Sequence, residues 1–277
     1  MRIALISDTH LSARAPECVA NWHAARRAVE RLGADLTINL GDITLDGQLH
    51  GEELAFASRL MRQWPTEMWC VPGNHDLGDG SGDAPLDVGL LNAYRNVFGP
   101  DHWLVKAGDW TLLGVNAQLL GTDTPQEEGL WQWIATQAEA ADLTHAALFM
   151  HRPLLRPTSG EINRRGRYVS SGASQRLLSG PLRPSLRLVV SGHTHQFMDI
   201  AVDGVRHLWM PSTAFILPDD MQARVGEKLV GIGLLELSDG VARFDLWCPD
   251  GMVRHDVSTL GFFDGNLSFP GHKPRAM

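Results

Sequence analysis

The chain has 277 residues, a formal net charge of −8, 44% hydrophobic and 20% charged residues, the balance of a water-soluble globular protein with a sizeable buried core. The acidic excess disfavours a nucleic-acid binder working through a broad basic face, and three cysteines, Cys18, Cys70 and Cys248, odd in number and far apart, argue against a disulfide framework. The opening apolar run is too short for a signal core or a membrane span and leads directly into Asp8 and His10, so a mature strand and a cytoplasmic, soluble protein are expected.

Residues 3–7 read as a first strand, and residues 18–32 as a helix with Val19, Trp22, Ala25, Val29 and Leu32 on one face and Gly33 as its stop. A strand at 36–40 closes on Gly41-Asp42, a helix at 52–64 stops at Pro65, and a strand at 67–71 closes on Pro72-Gly73-Asn74-His75-Asp76. Residues 78–85 form an aperiodic Gly/Asp-rich loop. The second half is richer in paired strands: 103–107 and 111–116 flank Gly108-Asp109, 200–202 and 205–210 flank Asp203-Gly204, and 229–237 and 241–247 flank Asp239-Gly240. Between them come a helix at 131–141 and strands at 146–150 and 186–190, which end at His151 and at Ser191-Gly192-His193. No repeat or composition break appears, so residues 1–277 are expected to form a single domain, with 249–277 a loop-like, aromatic C-terminal extension.

Strands alternating with helices predict a layered α/β fold, in which ligands bind where the loops at the carboxyl ends of strands converge. Asp8, His10, Asp42, Asn74, His151, His193 and His195 all fall at such exits. Alternate side chains of an extended segment share a face, so Asp8 and His10 can point at one ion, and His193-Thr194-His195 repeats that geometry at another strand end. Imidazoles suit zinc and iron, whereas carboxylate and amide oxygens suit harder ions such as manganese. The mixed set is large enough for two ions if one carboxylate bridges them, and an ion pair can clamp a phosphoryl group during displacement.

Asp8-x-His10, Gly41-Asp42, Gly73-Asn74-His75-Asp76, His151 and Gly192-His193-Thr194-His195 resemble, in the same order, the calcineurin-like metallophosphoesterase superfamily. The resemblance implies a two-sheet β-sandwich flanked by helices in α/β/β/α layers. It also implies two divalent or mixed-valence ions (iron, manganese or zinc), one held by Asp8, His10, Asp42 and His195, the other by Asp42, Asn74, His151 and His193. The implied reaction is attack of a metal-bridged hydroxide on phosphorus, with His75 as the catalytic group beside the leaving oxygen. Asp76 either orients His75 or anchors its loop, and the loop role is the favoured one.

Leu45 stands where the resemblance to purple acid phosphatases would require a tyrosine ligand and that to phosphoprotein phosphatases an aspartate supporting the histidine; Asp46 lies one residue late. Neither branch is therefore expected. Glu128-Gly129-Leu130 and Pro211-Ser212-Thr213 are instead similar to bacterial class III cyclic nucleotide phosphodiesterases and their glycerophosphodiesterase relatives. The implied substrate is a small phosphodiester, a cyclic nucleotide such as cyclic AMP or a glycerophosphodiester, with no membrane partner; a homo-oligomer is left open. Arg152, Arg156, Arg164, Arg165 and Arg167 form either a substrate-binding segment, since arginine suits bidentate phosphate recognition, or a solvated charged loop. The competing functions are a broad phosphomonoesterase, a nuclease, and a non-catalytic scaffold using the same fold.

Overall fold

The computed structural model describes residues 1–78, 86–140, 143–156 and 166–263. Arg164, Arg165, Phe269 and residues 79–85 lie outside the described residues. The chain first alternates β1 (Arg2–Ile6), α1 (Pro16–Leu32), β2 (Leu36–Asn39), α2 (Glu52–Met61), β3 (Glu67–Cys70), a single turn α3 (Asn74–Leu77) and α4 (Val88–Phe98). It continues with β4 (Trp103–Ala107), β5 (Trp110–Val115), α5 (Pro125–Ala138), β6 (His145–Met150), α6 (Ser171–Ser179) and β7 (Leu186–Ser191). The remaining strands are β8 (Met198–Val202), β9 (Val205–Trp209), β10 (Phe215–Ile216), β11 (Ile232–Ser238), β12 (Val241–Trp247) and β13 (His255–Asp256).

Two main sheets result, of five strands in the order β12-β11-β1-β2-β3 and six in the order β4-β5-β6-β7-β9-β8. Strands β1, β2 and β3 are parallel, with Ile3 opposite Leu36 and Leu36 opposite Glu67. Strands β5, β6, β7 and β9 are parallel in the other sheet, and antiparallel hairpins close its two edges.

Side-chain parity sets the layers. Ile3 and Leu5 of β1 share one core cluster with Leu112, Ala147, Phe149, Leu188 and Val190 of the second sheet, so these faces pack together. Their neighbours Ala4 and Ile6, and Leu113, Val115, Ala146, Leu148 and Met150, belong to a second cluster with Trp22, Ala25 and Val29 of α1 and with Leu130, Trp131 and Ile134 of α5. Strands buried on both faces read as unbroken apolar runs rather than alternating ones, as these do. The result is two sheets between helices, the layering that the family resemblance implies.

Helix ends follow local chemistry. Pro16 opens α1 and Gly33, at φ 61°, ends it. Helix α5 begins six residues before the expected start at 131; Thr124 accepts from the Glu127 N–H, Pro125 occupies the first helical position, and the apolar stripe begins only later. Helices α3, α4 and α6 are not among the elements expected from the sequence; α4 buries Leu91 and Tyr94.

The C-terminal extension is not simply a loop. His255–Asp256 pairs in parallel with Phe215–Ile216, and Val257 and Leu260 bury against Ala15, Cys18, Leu45 and Phe215, with Phe262 and Phe263 packed on the same cluster. Among the described residues no helix is long and apolar enough to cross a membrane.

Candidate metal centre

The exits of β1 and β2 run side by side: Asp8 donates its N–H to Gly41 O (2.9 Å), His10 to Asp42 O (3.0 Å) and Leu11 to Ile43 O (2.8 Å). The second sheet joins them through the His193 N–H, which donates to Asp8 Oδ2 at 3.0 Å; the Ser7 hydroxyl also donates to that oxygen. Glycines permit the approach. A Cβ on Gly73 would fall on the backbone nitrogen and carboxylate of Asp42, and one on Gly192 would fall on Ser7 Oγ.

Asp8 (φ 51°), His10 (45°), Asp42 (50°), His193 (67°) and His195 (52°) all lie in the left-handed region, which is uncommon for residues other than glycine. The Asp-x-His and His-x-His pairs therefore do not reach a common point by strand alternation, as the sequence suggests. Left-handed turns just past the strand ends aim them.

The side chains converge. Asp8, His10 and His195 form one buried group able to hold a metal ion, Asp42, His151 and His193 a second, and His10, Asp42 and His75 a third that links them. His195 Nε2 lies 3.3 Å from His10 Nε2 and 3.3 Å from Asp8 Oδ1. His151 Nε2 lies 3.2 Å from Asn74 Oδ1, 3.3 Å from Asp42 Oδ2 and 3.0 Å from His193 Nδ1.

The donor set fits a cation on tautomer grounds. His195 Nδ1 faces Phe215 O at 2.9 Å and His151 Nδ1 faces Leu40 O at 2.8 Å. A carbonyl only accepts, so each Nδ1 carries the proton and a neutral ring turns its Nε2 lone pair inward. Lone pairs of nitrogen and oxygen this close repel unless positive charge sits among them.

The electrostatics agree. Burial alone would raise the Asp8 carboxyl, but His195 and then His151 bring it down to about 2. Asp42 is likewise held well below the usual carboxylate range, its burial outweighed by His151 and His75. Burial and neighbouring imidazoles make His10 and His193 less basic, whereas Asp42 overrides burial and makes His151 more so.

His75 stands beside this cluster on the α3 turn. Its N–H donates to Asp42 Oδ1 at 2.8 Å, and its ring Nδ1 faces Leu45 O at 2.5 Å and Asp46 Oδ1 at 3.4 Å. Burial lowers its pKa, but Asp42, Asp46 and the Leu45 carbonyl together raise it to about 10. The sequence undervalues Asp46. The Leu45 side chain is drawn into the core beside Ala15, Cys18 and Phe215, and its carbonyl and the next carboxylate turn towards His75. The carboxylate that Leu45 does not provide faces His75 from one residue later. Asp76 anchors the loop: its oxygens accept from the N–H groups of Gly73 (2.9 Å), Ile43 (3.2 Å) and Thr44 (3.0 Å).

The arginine segment is only partly brought in. Arg152 is buried directly after His151, and its charge depresses the basicity of His193. Arg167 is buried too, while Arg156 lies over the Tyr168 ring at 5.6 Å.

The family model for calcineurin-like phosphoesterases matches residues 1–197. The chain belongs to the calcineurin-like phosphoesterase family. It is thus a phosphoric ester hydrolase of a metal-dependent family, and its buried Asp and His groups can hold metal. This phosphoesterase is 26% identical over 222 residues to the 3′,5′-cyclic adenosine monophosphate phosphodiesterase CpdA of Escherichia coli (strain K12), covering 77% of this chain and 76% of that protein. It is 24% identical over 252 residues to the 3′,5′-cyclic-nucleotide phosphodiesterase alr5338 of Nostoc sp., covering 86% and 88%. Among solved structures, purple acid phosphatase PPD1 from yellow lupin has the same fold, with a TM-score of 0.66 at 13% identity over 92% of this chain and 52% of that one.

Proposed function

We propose that this phosphoesterase hydrolyses small phosphodiesters, cyclic nucleotides such as cyclic AMP or glycerophosphodiesters, with a pair of metal ions. The observation that carries the reading is the convergence of Asp8, His10 and His195 into one buried group and of Asp42, His151 and His193 into another, with His10 and Asp42 meeting again beside His75. The two bacterial relatives named above are cyclic nucleotide phosphodiesterases, which supports the diester over the monoester.

In this reading Asp8, His10, Asp42 and His195 hold one ion, and Asp42, Asn74, His151 and His193 the other, with Asp42 shared. The nitrogen and oxygen donors suit iron, manganese or zinc. Ions bound there supply an acidified water and neutralise charge on the phosphoryl oxygens. The chain's own contribution centres on His75. Its Nδ1 is engaged by Leu45 and Asp46, so Nε2 is the atom that gives its proton to the departing oxygen as the P–O bond breaks. Arg152, buried beside His193, offers its guanidinium to the substrate's phosphate. Free cysteines at 18, 70 and 248 fit a reducing, cytoplasmic setting, and residues 1–277 are taken as one catalytic unit.

The test is a substrate panel. Metal-reconstituted protein should turn over bis-p-nitrophenyl phosphate and cyclic AMP faster than p-nitrophenyl phosphate or single-stranded DNA. A preference for the monoester overturns the reading. Arg152→Ala should raise KM for the diester, and an unchanged KM removes Arg152 from the substrate site.

A further inference from the structure

Behind His75 lies a second set of charged side chains that the proposed chemistry does not use. Asp46, whose Oδ1 is 3.4 Å from His75 Nδ1, is itself gripped from two sides. Its Oδ2 lies 3.4 Å from Arg14 Nη2, and its backbone N–H donates to Glu53 Oε2 at 2.6 Å. The other oxygen of Glu53 accepts from Ser12 Oγ (2.5 Å), Arg14 Nε (3.2 Å) and Arg14 Nη2 (2.9 Å). Glu53 is 3% exposed and sits in the first turn of α2.

A carboxylate is costly to bury, and fold stability alone gives no reason to place two of them beside one arginine at this spot. The arrangement has a geometric consequence. Ser12 and Arg14 follow His10 on the β1 exit, whereas Asp46 follows Asp42 on the β2 exit, so Glu53 ties the two loops together behind the imidazole. Arg14 holds Asp46 Oδ2 and Glu53 holds the Asp46 backbone N–H, which together place Asp46 Oδ1 and the neighbouring Leu45 carbonyl against His75 Nδ1. The imidazole that it faces is consequently held in one orientation.

We infer that Glu53 and Arg14 are positioning residues for His75, acting through Asp46 to keep the imidazole aimed at the departing oxygen. The inference rests on the reading of His75 as the proton donor to the leaving group. A misaimed donor matters most where the leaving group needs the proton most, and this separates positioning from mere structural support.

The experiment uses the metal-loaded enzyme on aryl methyl phosphates whose leaving groups run from p-nitrophenol to unsubstituted phenol, with His75→Ala as reference. His75→Ala should lose about 100-fold or more in kcat with phenol and only a few-fold with p-nitrophenol, the range of a general acid. Glu53→Gln and Arg14→Ala should show the same slope, with losses of roughly tenfold and twofold at the two ends, the scale of outer-shell support. KM and metal content should be unchanged, and Glu53→Asp should recover part of the loss. In metal-free protein the His75 ring N–H should exchange slowly in the wild type and rapidly in Glu53→Gln. Because Glu53 is buried, Arg14→Ala, at a side chain 44% exposed, carries the same test where Glu53→Gln does not fold. A uniform loss across leaving groups in both variants, beside a steep slope for His75→Ala, overturns the positioning role and leaves the proton donor standing. A flat response in His75→Ala itself removes the donor and the positioning role together.

Discussion

Left-handed backbone occurs both in two surface hairpins and at the candidate metal centre. In the hairpins β8–β9 and β11–β12, Asp203 (φ 50°) and Asp239 (φ 48°) each precede a glycine also at positive φ, Gly204 (76°) and Gly240 (71°). Two consecutive residues of this kind make the two-residue turn whose twist matches the flanking strands, and both aspartates are exposed. At the metal centre Asp8, His10, Asp42, His193 and His195 take nearly the same φ while buried. On the surface the conformation reverses the chain, and any residue that tolerates it serves. Inside, it aims a side chain into a group that could hold a metal ion. Strain on the order of 1 kcal/mol or more per residue is thereby stored where the surrounding loops and glycines fix it.

The widest separation between the two regions should come at Asp42. Asp42→Ala is expected to abolish metal retention, read by elemental analysis, and to lower turnover by at least about 10³-fold, the scale of losing preorganised charge at a reacting group. The wild type should melt at a lower temperature after chelation and recover with added metal, whereas Asp42→Ala should melt at a temperature indifferent to metal. A variant that keeps its metal would mean that Asp42 is not the shared donor. Next in size comes His75→Ala, which should retain metal yet lose about 10²-fold or more in turnover on poor leaving groups; loss of metal in that variant would place His75 among the ligands instead.

Much of this centre is visible in the sequence because a short strand leaves little choice about where its next residue goes. Asp8, Asp42, His151 and His193 follow apolar runs that can only be buried strands, and parallel strands put their exits at one edge. The layering is legible for the same reason: strands such as 146–150 are apolar on both faces and need cover on each. What the sequence conceals is the local backbone. Nothing in Asp-Thr-His separates an extended tripeptide from one with its ends in the left-handed region, since the difference comes from hydrogen bonds to Gly41, Asp42 and Ile43 thirty-odd residues away. Asp46 is concealed likewise, because counting from Asp42 assumes a regular chain that the burial of Leu45 bends. Helix α5 starts early because capping by Thr124 and Pro125, and not apolar periodicity, decides its first turn.

A third strand exit in the second sheet sharpens the comparison further. After β5, Asn116 Nδ2 donates to Asp101 Oδ2 at 2.9 Å, and Arg95 and His102 approach the other oxygen at 2.8 and 3.2 Å. Asp101 is as buried as the proposed metal donors, yet its partners are a guanidinium, an imidazole and an amide of the protein itself, so it stabilises the fold without an ion. Burial raises its pKa, but His102, Arg95 and Asn116 bring it down from 3.8 to about 2. A carboxylate depressed in the folded state contributes stability above its unfolded pKa and loses it as pH falls through the folded value. Asp101→Asn should therefore cost about 2 kcal/mol near neutral pH, measured by urea denaturation, with the gap to wild type narrowing below about pH 4 and closing near pH 2. Metal should not alter that gap; a metal-dependent gap would make this exit part of the centre.

The smallest effect belongs to the hairpins, and it is the one on which the comparison depends. Asp239→Asn keeps a residue that enters the left-handed region readily, leaves Gly240 in place, and removes a charge that is exposed. The substitution should change stability by no more than about 0.5 kcal/mol, the range of surface positions without a special partner, and should leave metal content and turnover untouched. Both strands are long enough to hold the turn: the β11–β12 ladder pairs Ile232 with Trp247 through to Ser238 with Val241, so its register does not depend on one turn residue. A loss well above 1 kcal/mol would show that left-handed aspartate is a stability element wherever it occurs in this chain. The backbone conformation at Asp8 and Asp42 would then say nothing specific about metal.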